Sequence, residues 1–210
     1  NGHFEIVVIV IFIAMVLDGL DGRVARMTNT QSEFGAQYDS LADLVSFGVA
    51  PAAVAYSWGL SSLGKFGWMV AFVYATCGAL RLARFNVQHN IADKRYFQGL
   101  ASPAAAALVA GYVWLMEDYQ LTGTGATAGL LTVTLCAGLL MVSNIRYHSF
   151  KELNFTGKVP FVVAVIVMLV LALIYAAPPL ILFIMCLVYA LSGLVLTMRL
   201  LRRTQRDKTE

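Results

Sequence analysis

Seven apolar stretches, each about as long as a membrane span, divide the 210-residue chain. They lie roughly at 4–22, 38–57, 66–85, 100–116, 126–143, 159–176 and 179–198. A helix needs about 20 mostly apolar residues to cross the hydrocarbon layer of a bilayer. The loops between the stretches are short, so the pattern predicts an all-α, polytopic bundle of seven transmembrane helices. This bundle forms one domain over residues 1–210.

The composition agrees with this pattern. Hydrophobic residues make up 59% of the chain and charged residues only 13%, whereas soluble domains have about 25% charged residues. A soluble enzyme is therefore excluded. The chain opens on Asn1 rather than Met and runs directly into an apolar stretch. We therefore expect that an upstream span is missing and that the intact protein has eight spans.

Basic residues mark one side of the predicted bundle. Of the 15 lysines and arginines, all but Lys65 fall at alternate ends of the spans. Because basic residues accumulate on the cytoplasmic side of membrane proteins, this side is predicted to face the cytoplasm. We expect a protein of the cytoplasmic membrane whose residues 199–210 form a basic cytoplasmic tail. No nucleic-acid partner is expected.

Four aspartates stand at this cytoplasmic side, in the segment DGLDGRVARMTNTQSEFGAQYDSLAD. Asp18 and Asp21 are three residues apart at the end of the first span. Asp39 and Asp43 are four residues apart at the start of the second. Each pair shares one face of a helix. Thr30 and Ser32 are candidate N-caps for the second helix.

Small residues lie on the same two helix faces as the aspartates. Gly22 and Ala25 lie on the first face and Gly35 on the second, and small residues let helices approach closely. Four carboxylates brought together repel one another unless positive charge offsets them. An all-oxygen site of this kind suits Mg²⁺ or Mn²⁺, and two such ions would suit phosphoryl or phosphatidyl transfer. Helix capping or pairing with Arg23 and Arg26 would explain one aspartate, but not four.

The spacing of these residues matches a known motif at every defining position. It reads Asp18-x-x-Asp21-Gly22-x-x-Ala25-Arg26, then eight residues, then Gly35-x-x-x-Asp39-x-x-x-Asp43. In this motif the chain resembles the CDP-alcohol phosphotransferase family. The resemblance implies a dimetal site facing the cytoplasm, transfer of a group from a CDP-linked donor to an acceptor hydroxyl, release of CMP, and a homodimer.

Four further segments resemble the membrane-integral phosphatidylserine synthases of that family. They are QSEFGAQYDSLADLVSFGVAPA, GALRLARFNV at 78–87, GLASPAAA at 99–106 and SNIRYHSFKELN at 143–154. The resemblance implies that CDP-diacylglycerol and L-serine are converted to phosphatidylserine and CMP.

The resemblance also assigns roles to the motif residues. Asp18, Asp21 and Asp39 are implied metal ligands. Asp43 is a further implied metal ligand, at the metal edge, and is also the candidate general base for the serine hydroxyl; spacing alone does not separate a base from a ligand. The donor would bind against residues of both motif helices, namely Asp18, Asp21, Gly22, Ala25, Arg26 and Gly35.

Basic and polar residues near other span ends are candidate ligands for anions. Arg81 and Arg84 share a helix face, and an arginine fork suits a lipid phosphate or a serine carboxylate. Asn86 and Arg146 are further candidates. Anchoring at the membrane interface remains an alternative for the arginines. Ser102 and Pro103 are read as a helix start.

Several alternatives stay open. Within the same chemistry, the acceptor could be glycerol 3-phosphate or inositol phosphate, or the donor an archaeal ether lipid. A cation-coupled transporter is the competing class. Transporters more often carry internal repeats or broken helices near the bilayer midplane, and neither is visible in this sequence.

Overall fold

The computed structural model describes residues 3–28, 32–88, 96–148 and 161–206. It consists of long helices and one small sheet. The α-helices are α1 (Phe4–Met27), α2 (Glu33–Asp43), α3 (Ala50–Trp58), α4 (Lys65–Gln88), α5 (Ser102–Asp118), α6 (Thr124–Val142), α7 (Phe161–Ala176) and α8 (Pro178–Arg206). A π-helix at Leu44–Val49 joins α2 to α3, and a short 3-10 helix covers Leu60–Leu63.

The predicted polytopic helical bundle is confirmed. A helical segment lies at each of the seven predicted spans, with α2, the π-helix and α3 forming the second. Among the described residues, four segments are long and apolar enough to cross a membrane: Glu33–Trp58, Lys65–Val87, Thr124–Val142 and Pro178–Met198. Large apolar side chains lie exposed along the outside, such as Met168 and Tyr175 on α7. In a bilayer, such a surface meets lipid.

The core of the bundle surrounds α5. This helix packs against α1, α6 and α8, while α4 packs along α6. Its first part, SPAAAALVAGYV, is rich in alanine, and small side chains let neighbouring helices approach closely. Ala105, Ala106 and Ala110 are fully buried. The helix begins at Ser102 with Pro103 in its first turn, as predicted.

The second predicted span is interrupted, which the sequence analysis did not foresee. The segment Leu44–Val49 has π-helical geometry, and Pro51 follows at the start of α3. Proline has no backbone N–H, and within an α-helix its ring collides with the carbonyl four residues earlier. That carbonyl belongs to Phe47. A wider turn just before Pro51 relieves the collision, so α2 and α3 continue as one segment with a π-helical joint.

Two short strands are a second feature that was not predicted. Strand β1 (Tyr96–Gln98) pairs in antiparallel fashion with β2 (Arg146–His148), with Phe97 opposite Tyr147. Strand β1 lies between two predicted spans, where only a short loop was expected, and residues 89–95 before it lie outside the described part of the chain. The backbone turns after β1 at Gly99, whose φ is 82°. A β-carbon at Gly99 would collide with the Met141 carbonyl, so only glycine fits there.

Tyr147 attaches this sheet to α8. Its side chain is fully buried, and its hydroxyl donates a hydrogen bond of 3.1 Å to the carbonyl of Ala190. Burial, with a smaller contribution from Tyr189, raises the pKa of Tyr147 to about 12, so the hydroxyl keeps its proton and remains a donor. The loops that precede α5 and follow α6 are therefore joined to each other and to α8 at one end of the bundle.

Candidate active site

The aspartate site is built from the end of α1 and the whole of α2. Asp18 and Asp21 lie in the last turns of α1, which ends at Met27. The hydroxyl oxygen of Ser32 accepts a hydrogen bond of 3.0 Å from the backbone N–H of Gly35, so Ser32 is the N-cap of α2 as predicted. The other candidate cap, Thr30, lies outside the described residues.

Three of the four aspartates converge. Asp18, Asp21 and Asp39 each offer a carboxylate oxygen, and these oxygens lie within 4.8 Å of one another. Asp21 and Asp39 are exposed and Asp18 is partly buried. Oxygen donors of this number and charge fit Mg²⁺ or Mn²⁺, which bind through a few carboxylates and keep some of their water.

Asp43 lies beside this group rather than within it. Its carboxyl is within hydrogen-bonding reach of the Asp18 carboxyl, and it is partly buried. It is the last residue of α2, immediately before the π-helix. The structure therefore brings all four predicted aspartates together, with Asp43 in a position distinct from the other three.

Arg81 reaches this group from α4. Its guanidinium donates a hydrogen bond from Nη1 to the hydroxyl oxygen of Ser102 at the start of α5, and it lies within electrostatic range of Asp43 and Asp18. Among the described residues, the buried Nε atom of Arg81 has no hydrogen-bond partner. A largely buried donor of this kind, close to a cluster of carboxylates, fits an anionic group of a substrate.

Arg84 has different partners from Arg81, although both lie on α4. Its Nη2 atom donates hydrogen bonds to the side-chain oxygens of Gln98 in β1 and Asn144, the latter at 2.7 Å. Its Nη1 atom is 3.4 Å from the carbonyl of Val142. Arg84 thus joins α4 to β1 and to the segment that follows α6.

Asn86 also has a protein partner. Its Nδ2 atom donates to the hydroxyl of Ser40 at 3.1 Å, which links the end of α4 to the middle of α2. Arg146 lies in β2 opposite Gln98, and its side chain lies outside what the structure describes. The same holds for the side chains of Ala25 and Arg26, whose backbone belongs to α1.

The predicted role of the small residues in helix packing is wrong for Gly22. Among the residues that the structure describes, no atom lies within 4 Å of a β-carbon built on Gly22. A β-carbon on Gly35 would meet only the hydroxyl of its own N-cap, Ser32, at 3.0 Å. In the described part of the chain, the aspartates are thus brought together without contact between Gly22 and Gly35.

Sequence reasoning missed the contacts that connect the site to the bundle. Ser102 was read only as a helix start, and Ser40 and Tyr74 were not singled out. A signal for Tyr74 was available, because Tyr74, Gly78 and Arg81 recur at the four- and three-residue spacing of one helix face. The partners of Ser102 and Ser40 lie on other helices, so no local pattern marks these residues.

A comparison with protein families identifies the chain. The family model described as CDP-alcohol phosphatidyltransferase matches residues 1–142, which include both aspartate helices and Arg81. The chain belongs to the CDP-alcohol phosphatidyltransferase family. The predicted family and the prediction that the chain is an enzyme are confirmed.

Similar proteins carry a more specific name. The chain is 42% identical over 165 residues to a CDP-diacylglycerol–serine O-phosphatidyltransferase of Helicobacter pylori (strain ATCC 700392 / 26695), covering 79% of this chain and 68% of that protein. A protein of the same name from Methanocaldococcus jannaschii is 39% identical over 142 residues, 68% of this chain and 63% of the relative. Another, from Saccharomyces cerevisiae, is 45% identical over 114 residues, 51% and 41% of the two chains.

Proposed function

We propose that this enzyme transfers the phosphatidyl group of CDP-diacylglycerol to the hydroxyl of L-serine, giving phosphatidylserine and CMP. The observation that carries the chemistry is the convergence of Asp18, Asp21 and Asp39 within 4.8 Å, with Asp43 beside them. The choice of serine is supported by the names of the similar proteins from three distant organisms.

The proposed reaction is a single displacement at phosphorus. The serine oxygen forms a bond to the phosphorus of the phosphatidyl group, and the bond from that phosphorus to the oxygen it shares with CMP breaks. CMP leaves with the electron pair of the broken bond. Asp43 takes the proton of the serine hydroxyl, which is a poor nucleophile until a base acts on it. The position of Asp43 beside the other three carboxylates supports this division of roles.

Asp18, Asp21 and Asp39 would hold Mg²⁺ or Mn²⁺, with two ions per site and Asp43 at their edge. Bound ions would offset the charge of the pyrophosphate and of the departing CMP. Without such positive charge, carboxylates this close together at a membrane edge repel one another strongly. The three convergent oxygens are the donor set that these ions prefer.

The donor is proposed to bind along the motif helices. Gly22 has no side chain, so the cytidine moiety could approach the backbone of α1 there. Arg26 and the small residues Ala25 and Gly35 complete this subsite. Arg81 is proposed to bind a lipid phosphate or the serine carboxylate, because its Nε atom has no partner in the described part of the protein.

Three further residues were predicted as anion ligands, and the structure supports different proposals for them. Arg146 stays a candidate for the same role. Arg84 and Asn86 are proposed instead to hold the surrounding loops and α2, because their polar atoms contact Gln98, Asn144 and Ser40.

The long apolar helices support insertion in a membrane. We propose the cytoplasmic membrane, with the aspartates facing the cytoplasm, because 14 of the 15 basic residues fall at the same side as the aspartates. There the site would meet soluble serine and a lipid donor in the inner leaflet. A homodimer is proposed from the family resemblance alone.

One experiment tests the activity and the acceptor together. Purified protein in nanodiscs receives CDP-diacylglycerol, Mg²⁺ or Mn²⁺, and in turn L-serine, glycerol 3-phosphate or inositol phosphate. Released CMP is measured by chromatography and the lipid product by mass spectrometry. We expect CMP and phosphatidylserine in equal amounts, and only with serine. If glycerol 3-phosphate or inositol phosphate is used and serine is not, the proposed acceptor is wrong. A parallel series with an ether-linked CDP-lipid tests the donor backbone.

A further inference from the structure

We propose that Tyr74 is a positioning residue for Asp43, acting through the carbonyl of Phe47 and the π-helix. This inference rests on the proposed function, in which Asp43 is the general base. Tyr74 lies on α4 within the bundle and does not reach the aspartates itself. Its role follows from how the chain accommodates Pro51.

The first step is the hydrogen bonding of one carbonyl. In a continuous α-helix the N–H of residue 51 would donate to the carbonyl of Phe47, but Pro51 has no N–H. The hydroxyl of Tyr74 donates to this carbonyl instead, at 3.1 Å. Tyr74 is 0% exposed and Phe47 is 1% exposed, so water is excluded from the bond. A buried carbonyl without a donor is costly, and within a membrane no solvent replaces the donor.

The second step is the close approach of α4 to the π-helix. A β-carbon on Gly78 would lie 3.4 Å from the α-carbon of Gly48, so the two backbones nearly touch there. Tyr74, Gly78 and Arg81 form one face of α4. Along this face, Tyr74 meets Phe47, Gly78 meets Gly48, and Arg81 lies in electrostatic range of Asp43. A single face of α4 therefore contacts the π-helix and places Arg81 within electrostatic range of the aspartate that precedes the π-helix.

The third step links the π-helix to the direction of Asp43. A π-turn contains one residue more than an α-turn, so converting it to an α-turn would rotate α2 by about 100° and move it by about 1.5 Å relative to α3. Asp43 is the last residue of α2 and would turn away from Asp18 and Arg81. The bond from Tyr74 holds the carbonyl of Phe47, within the π-helix, against α4, so a conversion that moves this backbone would have to break the bond.

The variant Tyr74→Phe removes only the hydroxyl. We expect kcat to fall about 100-fold, as for a catalytic group displaced by about 1 Å, and KM for the lipid donor to change less than about threefold. Tyr112→Phe is the matched control, because the Tyr112 hydroxyl also donates to a backbone carbonyl, that of Ala126, at 3.0 Å. For this control we expect both constants to stay within about threefold of the parent values.

A cross-linking measurement reads the orientation of α2 without using activity. Ser40 on α2 and Asn86 on α4 are in hydrogen-bond contact, and both groups are accessible. The pair Ser40→Cys and Asn86→Cys is introduced after the native cysteines are replaced by alanine, and a short bis-methanethiosulfonate reagent is added in native membranes. We expect Tyr74→Phe to slow cross-linking about tenfold and Tyr112→Phe to leave its rate unchanged; each tenfold step corresponds to about 1.4 kcal/mol.

The outcomes separate this inference from the proposed function. Unchanged cross-linking in Tyr74→Phe overturns the inference, whether or not turnover falls, since α2 has then not moved. Slowed cross-linking together with lower kcat supports it. If the parent protein transfers nothing to serine, the proposed function fails, while cross-linking still decides whether Tyr74 orients α2. Should Tyr74→Phe not accumulate in membranes, Gly78→Val tests the same contact. A β-carbon at Gly78 already lies 3.4 Å from the α-carbon of Gly48, so the further methyl groups of valine should push α4 from Gly48, with a smaller expected loss of about threefold in the cross-linking rate.

Discussion

The aspartate site and α5 represent two extremes of packing within one bundle. None of the residues of α2, all of which the structure describes, is buried, whereas α5 buries nine residues between Ser102 and Val113. A site that receives a membrane lipid and a soluble acceptor has to be open on at least one side. The proposed catalytic groups therefore lie on a thinly packed edge of the bundle, and a dense core supports that edge.

Among the described residues, few polar contacts join α2 and the π-helix to the rest of the bundle. Ser40 bonds to Asn86, Arg81 reaches from α4 toward the aspartates, and the π-helix packs against Tyr74. Precise geometry at the edge thus depends on a small number of polar contacts rather than on a large buried area. Substitutions at the edge are expected to change turnover with little effect on stability, and substitutions in the core are expected to do the opposite.

The largest effect is expected at Asp43. Asp43→Asn keeps the shape of the side chain but removes the proposed base, so kcat should fall about 100- to 10,000-fold. The melting temperature should stay the same or rise, because one of four neighbouring negative charges is lost. CMP release and a thermal melt measure the two quantities. Asp118→Asn, at the far end of α5, is the matched control and should change neither. Full turnover by Asp43→Asn would exclude it as the base.

Arg81 and Arg84 test whether a residue that lies close to the aspartates affects mainly turnover, and one that lies farther away affects mainly stability. Arg81→Lys keeps the charge but loses the planar fork, so kcat/KM should fall about 10- to 100-fold. Arg84→Lys loses bonds to Gln98 and Asn144, so unfolding should become easier by about 1–2 kcal/mol, with kcat/KM lowered less than tenfold. Kinetics and thermal melts on both variants provide the comparison. Equal kinetic losses would contradict the separate roles assigned to them.

A third test compares the roles of two aspartates within the site. Asp39 belongs to the group of three convergent carboxylates and Asp43 does not. Asp39→Asn should weaken Mn²⁺ binding by at least about tenfold, because the affinity of such sites depends on the number of charged ligands. Asp43→Asn should weaken it less than about threefold. Electron paramagnetic resonance of free Mn²⁺ measures binding without turnover. If both variants lose affinity equally, Asp43 is a ligand of the same rank as the others.

The aspartate site was easier to predict from sequence than the contacts that join it to the rest of the bundle. The spacings of Asp18 to Asp21 and of Asp39 to Asp43 follow from helix geometry, as does the N-cap at Ser32, so the site residues could be found locally. The seven helices could be predicted because a bilayer demands long apolar segments. In both cases a short-range rule connects the residue pattern to the structure.

The contacts that join the aspartate site to the bundle are made between residues that are distant in sequence, and no periodic pattern reveals such pairs. The bond between Arg81 and Ser102 spans 21 residues, and that between Ser40 and Asn86 spans 46. Pro51 signals a disturbed helix, but the π-helical solution depends on the hydroxyl of Tyr74, 27 residues away from Phe47. The small sheet was missed because three-residue strands are too short to show alternation.

The smallest effect on turnover is expected from a change in the core. Ala110 on α5 is fully buried, so Ala110→Leu should force neighbouring helices apart and lower the free energy of unfolding by about 1–3 kcal/mol. Turnover per folded molecule should stay within about twofold, because the polar contacts that hold α2 do not involve α5 around Ala110. Thermal melts, and rates corrected for the folded fraction, measure both quantities.

Ala172→Leu, on the exposed surface of α7, is the matched control, and its stability should change by less than about 0.5 kcal/mol. If Ala110→Leu instead lowers turnover as strongly as Arg81→Lys, the core transmits small displacements directly to the aspartates. The few polar contacts at the edge would then not be what positions the site.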